Sequence, residues 1–277
     1  MKLVSFNVNS VRIRMPQLEA LKAAHQPAIV GLQETKVTDG DYPLEPLTEL
    51  GYESCYFGQK THYGVAILST VPPVTVHKGF STDEDDAQRR FIAADYALTD
   101  GRVLHVLNGY FPQGEARDNA TKFPAKERYY ADLFAYIKTN FTPQDLLVVM
   151  GDFNVAPQDI DIGIGAANAK RWLRDGKTSF LPEERSWFEG LIAWGLKDSF
   201  RMLHPEEDDL FSWFDYRSKG FDREPKRGLR IDHLLVSEGL QSSVKAAGIE
   251  YSVRGMERPS DHCPAWLELE GLELLEG

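Results

Sequence analysis

Apolar positions along the chain gather into short continuous runs. Residues 3–6, 28–32, 65–68, 103–107, 146–150, 231–236 and 265–269 each have strand length, and most are rich in Val, Ile and Leu. Such runs predict buried β-strands. Between them the period lengthens. Residues 15–21 carry Pro16 near a helix start. Residues 126–139 put Tyr129, Tyr130, Leu133, Phe134 and Ile137 on one stripe, and residues 182–194 do the same with Trp187, Phe188, Leu191 and Ile192. Strands interleaved with helices predict an α/β or α+β fold. No Pro-, Gly- or Ser-rich linker divides the pattern, so residues 1–277 read as one domain.

The polar residues that end these runs carry the chemistry. Phe6 is followed by Asn7, with Asn9 close behind; Leu32 leads to Gln33 and Glu34; Leu107 leads to Asn108, Gly109 and Tyr110. Met150 leads to Gly151, Asp152, Phe153 and Asn154, and Ser260, Asp261 and His262 precede the last run. Asp232 lies inside the apolar stretch 229–236, where a carboxylate costs several kcal/mol unless it is paired. Taken singly, each has a plain alternative. Glu34 reads as a surface residue, Asp152 as a turn or cap aspartate, and His262 as a structural histidine. Together they make a coherent set, because strands sharing one sheet edge present their terminal residues to a common point.

Oxygen donors dominate that set. It has no Cys ligand and no HExxH pair, which favours Mg²⁺ or Mn²⁺ over zinc. No GxxxxGK[ST] loop and no GxSxG elbow is present, so neither a P-loop nor an α/β-hydrolase serine is expected. Carboxylates, a histidine and a divalent ion suit hydrolysis of a phosphate ester. Composition is ordinary for a globular protein, at 42% apolar and 26% charged, which excludes a disordered or fibrous chain. Cys55 and Cys263 are far apart, so no disulfide framework is expected. No signal-type or membrane-spanning run is seen, and the expected setting is the cytoplasm, with no membrane partner.

The ordered motifs resemble the exonuclease III family of AP endonucleases. They are Leu32-Gln33-Glu34-Thr35-Lys36, Asn108-Gly109-Tyr110-Phe111-Pro112, Gly151-Asp152-Phe153-Asn154, Leu229-Arg230-Ile231-Asp232 and Ser260-Asp261-His262. The wider superfamily includes DNase I, inositol polyphosphate phosphatases and sphingomyelinases. The narrower stretches 109–114, 122–126, 161–165, 171–173 and 211–220 look like the bacterial exonuclease III type. The resemblance implies a DNase I-like four-layer α/β sandwich, with two facing, mostly antiparallel sheets flanked by helices and the site at one edge. It implies Glu34 as main metal ligand, with Asn7, Asp152, Asn154 and Asp261 at the metal site and Asn9 beside it. Asp152 would position or deprotonate the attacking water, and Asn154 would orient the phosphate. His262, held by Asp232, would contact the phosphate, with Tyr110 there or at the leaving oxygen.

The same resemblance implies a Mg²⁺- or Mn²⁺-dependent repair nuclease. Its activities would be cutting 5′ to abasic sites in double-stranded DNA, 3′→5′ exonuclease action and removal of 3′ blocking groups, with the chain acting as a monomer. A net charge of −11 requires the DNA contact to be local or metal-mediated. Lys170, Arg171, Arg174 and Lys177 stand against Asp175 alone, and Arg217 to Arg230 is also basic, as is 119–128 with Lys122, Lys126 and Arg128. These stretches read either as phosphate contacts or as solvated loops. By resemblance Trp213 and Phe214 wall a pocket for a base-free sugar, Arg90 and Arg117 grip DNA near the lesion, and Lys122 and Asn9 join the substrate-binding residues. Ordinary core packing is the alternative for the two rings. A phosphodiesterase or phosphatase of the same superfamily acting on a non-DNA substrate is the alternative activity.

Overall fold

A computed structural model describes residues 1–276. In chain order the elements are β1 (Lys2–Asn7), α1 (Met15–His25), β2 (Ile29–Gln33), α2 (Leu44–Glu49), β3 (Glu53–Phe57), β4 (Val65–Ser69), β5 (Thr75–Lys78), β6 (Phe91–Ala97), β7 (Val103–Tyr110) and α3 (Lys122–Asn140). There follow β8 (Leu146–Asp152), α4 (Ala166–Arg174), α5 (Pro182–Trp194), β9 (Leu196–Asp198), α6 (Ser199–Leu203), β10 (Asp232–Ser237), α7 (Glu238–Gln241), β11 (Val244–Ile249), α8 (Tyr251–Arg254) and β12 (Ala265–Leu269).

All seven apolar runs contribute strands to two six-stranded sheets, ordered β11-β12-β1-β2-β4-β3 and β5-β6-β7-β8-β10-β9. One pair in each sheet is parallel, β1 with β2 and β7 with β8, and the other pairings are antiparallel. Alternation along the strands builds the layers. On β8, Val148 and Met150 enter the core between the sheets, where they meet Leu3, Ile29, Ile67 and Leu267. Leu147 and Val149 point the other way, against Tyr129, Tyr130 and Leu133 of α3 and Phe188 and Leu191 of α5. Leu18 and Leu21 of α1 cover Val4, Phe6, Val30 and Leu32 on the outer face of the first sheet. The result is the expected four-layer sandwich, each buried Leu, Ile or Val side chain contributing roughly 1.5–3 kcal/mol.

A cluster of polar contacts crosses the core. Asn108 Nδ2 donates to the carbonyls of Leu32 at 3.0 Å and Ala66 at 2.9 Å, and Gln33 Nε2 donates to Asn108 Oδ1 at 2.6 Å. Gly31 opposite makes room: a Cβ there would fall 2.6 Å from Met150 Cε and 2.9 Å from Asn108 Oδ1.

Two local expectations change. The helix expected from residue 126 begins at Lys122. Asp232, expected within a strand, is instead the first residue of β10. The N–H groups at this end are diverted, with Ile231 N and Asp232 N both donating to Ser212 Oγ, while Ile231 O still accepts from Phe153 N at 3.0 Å. Cys55 and Cys263 are free thiols. Among the described residues no helix is long and apolar enough to cross a membrane.

Candidate active site

Strand direction gathers the polar residues at one edge. The parallel pairs end together: Asn7 registers with Gln33, one residue before Glu34, and Tyr110 registers with Asp152. Antiparallel β10 starts where β8 stops, so Asp232 registers with Asp152. His262 arrives on the loop before β12, and Ser260 Oγ anchors that loop by donating to Asn7 O at 2.6 Å.

Asn7 links the two sheets at this edge. Its Nδ2 donates to Glu34 Oε1 at 2.9 Å and to Asp152 Oδ2 at 3.0 Å. His262 Nδ1 donates to Asp232 Oδ2 at 2.8 Å, which leaves Nε2 facing Asp152 Oδ2 at 3.7 Å. Burial alone would lower the His262 pKa, but the Asp232 and Asp152 carboxylates outweigh it and push it up to about 10. Burial also raises Asp152, to about 7, against the lowering pull of the His262 charge. Tyr110 is held well above its ordinary value by burial and by the Glu34 charge, so its hydroxyl keeps its proton.

One ligand atom each from Glu34, Asp152 and His262 lies within 4.8 Å of the others, a group that can hold a metal ion. Charged and tethered by Asp232, His262 offers an N–H rather than a lone pair. The carboxylates of Glu34 and Asp152 could then supply the oxygen donors. That set fits a hard, oxygen-ligated divalent cation.

The remaining expected residues fall into separate groups. Asn154 sits at φ 53° and donates Nδ2 to Phe111 O at 2.9 Å, while its own N–H is held by Asp152 Oδ1 at 3.0 Å. Asp261 lies outside the converging carboxylates, contrary to its expected place at the metal. Its oxygens accept from Asn9 Nδ2 at 2.9 Å and Trp213 Nε1 at 3.1 Å. Arg90 is tucked between Tyr63 and Tyr110, its guanidinium 4.4 Å from each ring centre. Arg117 and Lys122 are exposed and paired with Glu183 and Glu115. Trp213 walls a recess of about 140 Å³ whose lining includes Trp172, Arg171, Arg223 and Arg227. Phe214 does not join it. The ring is fully buried against Phe211, Phe221 and Tyr251, so the expected sugar contact is corrected to core packing.

Two residues counted among the basic stretches, Lys126 and Arg230, are neither solvated nor free for phosphate, because each is buried in an ion pair behind the site. Lys126 is fully buried, pairs with Glu184 and donates to Asn154 O at 2.8 Å. Glu184 also accepts from Ser179 N and Leu181 N at 2.8 Å each. Arg230, two residues before Asp232, donates to Asp161 and Asp198 at 2.7 Å each and to His233 Nδ1 at 3.0 Å. The available signal was phase: Lys126 falls on the apolar stripe of α3, and Arg230 interrupts the run that leads into β10.

Known proteins share this architecture. Residues 4–262 match the model of the Endonuclease/Exonuclease/phosphatase family. The chain is 53% identical over 270 residues to the exodeoxyribonuclease III of Haemophilus influenzae, covering 98% of this chain and 100% of that one. A 3′ phosphatase from Neisseria bound to product DNA hairpin superposes with TM-score 0.86 at 38% identity, covering 98% and 99% of the two chains. An AP endonuclease from Archaeoglobus fulgidus superposes with TM-score 0.88 at 30% identity, also over 98% and 99%. With a family match over residues 4–262 and likeness along nearly its whole length, the chain belongs to the endonuclease/exonuclease/phosphatase family, on its exodeoxyribonuclease III side.

Proposed function

We propose that this chain is a DNA repair nuclease. It hydrolyses the phosphodiester 5′ to abasic sites in double-stranded DNA and trims 3′ ends, removing 3′ phosphates and terminal nucleotides. The observation that carries this reading is the convergence of Glu34, Asp152 and His262 within 4.8 Å at the shared edge of two sheets. The names of the relatives, an exodeoxyribonuclease III, a 3′ phosphatase and an AP endonuclease, support DNA as the substrate.

Each side chain has a chemical task consistent with its surroundings. Glu34 and Asp152 would hold Mg²⁺ or Mn²⁺, which neutralises phosphate charge when bound. Asp152, facing His262 at the same edge, would also orient the attacking water and accept its proton. Protonated His262 presents Nε2–H to a phosphate oxygen, and Asp232 keeps that proton in place. Tyr110 supplies a neutral O–H to the phosphate or the departing oxygen, and Asn154 orients the phosphate with its side-chain amide. Trp213 walls the space for a sugar without a base, which is cheaper to unstack than an intact nucleotide. Action as a cytoplasmic monomer belongs to the same reading.

The test uses two duplexes, one with a single abasic-site analogue and one with a 3′ phosphate, each incubated with Mg²⁺ and with EDTA. Cleavage of both with Mg²⁺ and of neither with EDTA is expected. Failure on both duplexes, with turnover of an inositol phosphate or a phospholipid, would move the activity to a non-DNA phosphodiester.

A further inference from the structure

The contacts of Asp261 form part of a longer chain. Lys36 Nζ lies 2.8 Å from Glu34 Oε2 and donates to Asn9 Oδ1 at 2.5 Å. Asn9 Nδ2 donates to Asp261 Oδ1 at 2.9 Å, and Trp213 Nε1 donates to Asp261 Oδ2 at 3.1 Å. A continuous line of polar contacts thus joins the metal-binding carboxylate to the indole that walls the recess. We propose that Asp261 is a positioning residue for lesion recognition: it fixes the Trp213 ring and, through Asn9 and Lys36, sets that ring relative to Glu34. The inference rests on the repair-nuclease reading and deepens it.

Several observations support this role. The backbone of Trp213 is already fixed, since its N–H donates to Leu229 O at 2.9 Å and its carbonyl accepts from Leu229 N at 3.0 Å. What remains free is rotation of the side chain, and the indole N–H has one charged acceptor. A hydrogen bond to a carboxylate is about twice as strong as a neutral one and holds a ring in one rotamer. Asp261 also braces the neighbouring residue, accepting Phe214 N at its backbone carbonyl at 2.9 Å. Each carboxylate oxygen faces a side-chain N–H donor, an arrangement that orients donors and leaves metal binding to Glu34 and Asp152.

Asn in place of Asp261 keeps the shape but offers one acceptor oxygen for two donors. Its amide hydrogens would oppose either the indole N–H or the Asn9 amide. The loss should fall on substrates that need the Trp213 wall. It should be smaller for a terminal 3′ phosphate, which needs the carboxylates and His262.

The experiment combines Asp261→Asn with Trp213→Phe in a double-mutant cycle. Cleavage of the abasic-site duplex is divided by 3′-phosphate removal for each protein, and the Mg²⁺ midpoint is recorded alongside. The expected result is a fall of about tenfold in the ratio for Asp261→Asn, a fall for Trp213→Phe, and no further fall in the double variant. An unchanged ratio, a tenfold higher Mg²⁺ midpoint and additive effects would overturn the proposal and make Asp261 a metal ligand. A second readout does not depend on activity. In protein labelled with 5-fluorotryptophan, five ¹⁹F resonances are expected from the five tryptophans, and Trp213→Phe identifies the Trp213 signal. Asp261→Asn should shift or broaden that signal; an unmoved signal overturns the proposal. If the signal moves while the wild type cuts no abasic duplex, the positioning contact stands and the lesion reading fails.

Discussion

His262 and Asp232 form a pair in which the carboxylate takes Nδ1 at 2.8 Å and so leaves Nε2 facing Asp152 at 3.7 Å. The pair is buried, and its charge makes the histidine cationic up to about pH 10. A histidine raised in this way is charged below its pKa and loses its proton as pH rises through it. Activity that needs the imidazolium should therefore decline on the alkaline side near pH 10. Asp232→Asn removes the negative charge and should move that decline toward the ordinary histidine range near ~6.5. Turnover should drop on the order of 10²–10⁴-fold if orientation and protonation are both lost. A pH–rate profile of both proteins on the 3′-phosphate duplex checks this. An unmoved alkaline limb would remove His262 from the proton inventory.

Glu34 supplies one of two converging carboxylates, and Lys36 at 2.8 Å already balances part of its charge. Glu34→Gln should raise the Mg²⁺ concentration for half-maximal rate and lower the maximal rate, with far-ultraviolet circular dichroism unchanged. Titration of Mg²⁺ and Mn²⁺ against activity measures the first effect. Full activity of the wild type in EDTA would contradict the metal assignment outright.

Trp213 and Phe214 are adjacent but should behave differently. Trp213→Ala removes the wall of the recess and should weaken abasic-site cutting by about 1–3 kcal/mol in transition-state terms, with a smaller effect on 3′-phosphate removal. Phe214→Ala empties a buried position and should cost about 3–5 kcal/mol of stability. At a temperature where that variant stays folded, its two activities should keep their wild-type ratio. Urea titrations and paired rate measurements on the two variants separate the roles.

Lys126 supports Asn154 from behind through the carbonyl at 2.8 Å. Lys126→Met leaves Glu184 buried without its cation and should cost about 3–5 kcal/mol. Thermal melting reads that loss. If the ion pair also fixes the loop after β8, the surviving folded fraction should bind the duplex less tightly, seen as a higher KM.

Much of the architecture was legible because burial leaves a mark in sequence. The run 146–150 is apolar on both faces, since Val148 and Met150 meet the opposite sheet while Leu147 and Val149 meet α3 and α5. Edge strands left no such mark. β5 is exposed along its whole length, and β3 and β11 are mostly half-buried, so their residues need not be apolar. The site was legible as a set of strand ends, because Glu34, Asp152 and Asp232 are charges beside apolar runs. What failed was side-chain direction. Trp213 and Phe214 look equivalent in sequence, yet one meets the recess and the other the interior. The partners of Asp261 come from residues 9 and 213, a pairing that only the folded chain brings together.

The Asn108 bridge across the core has a kinetic corollary. Glu34 follows a strand of one sheet while Asp152 and Asp232 lie on the other, so the gap between the sheets is the gap between the two jaws of the proposed catalytic machinery. Gly31, Met150 and Asn108 act as the shim that sets this gap at the level just behind Asn7. A thicker shim would open the jaws without touching a reacting group. Misplacement of about 1 Å at a reacting centre can cost on the order of 10²-fold in rate. On the proposed mechanism, turnover should therefore act as a ruler for the interior, reporting changes of core volume that leave every side chain of the site in place.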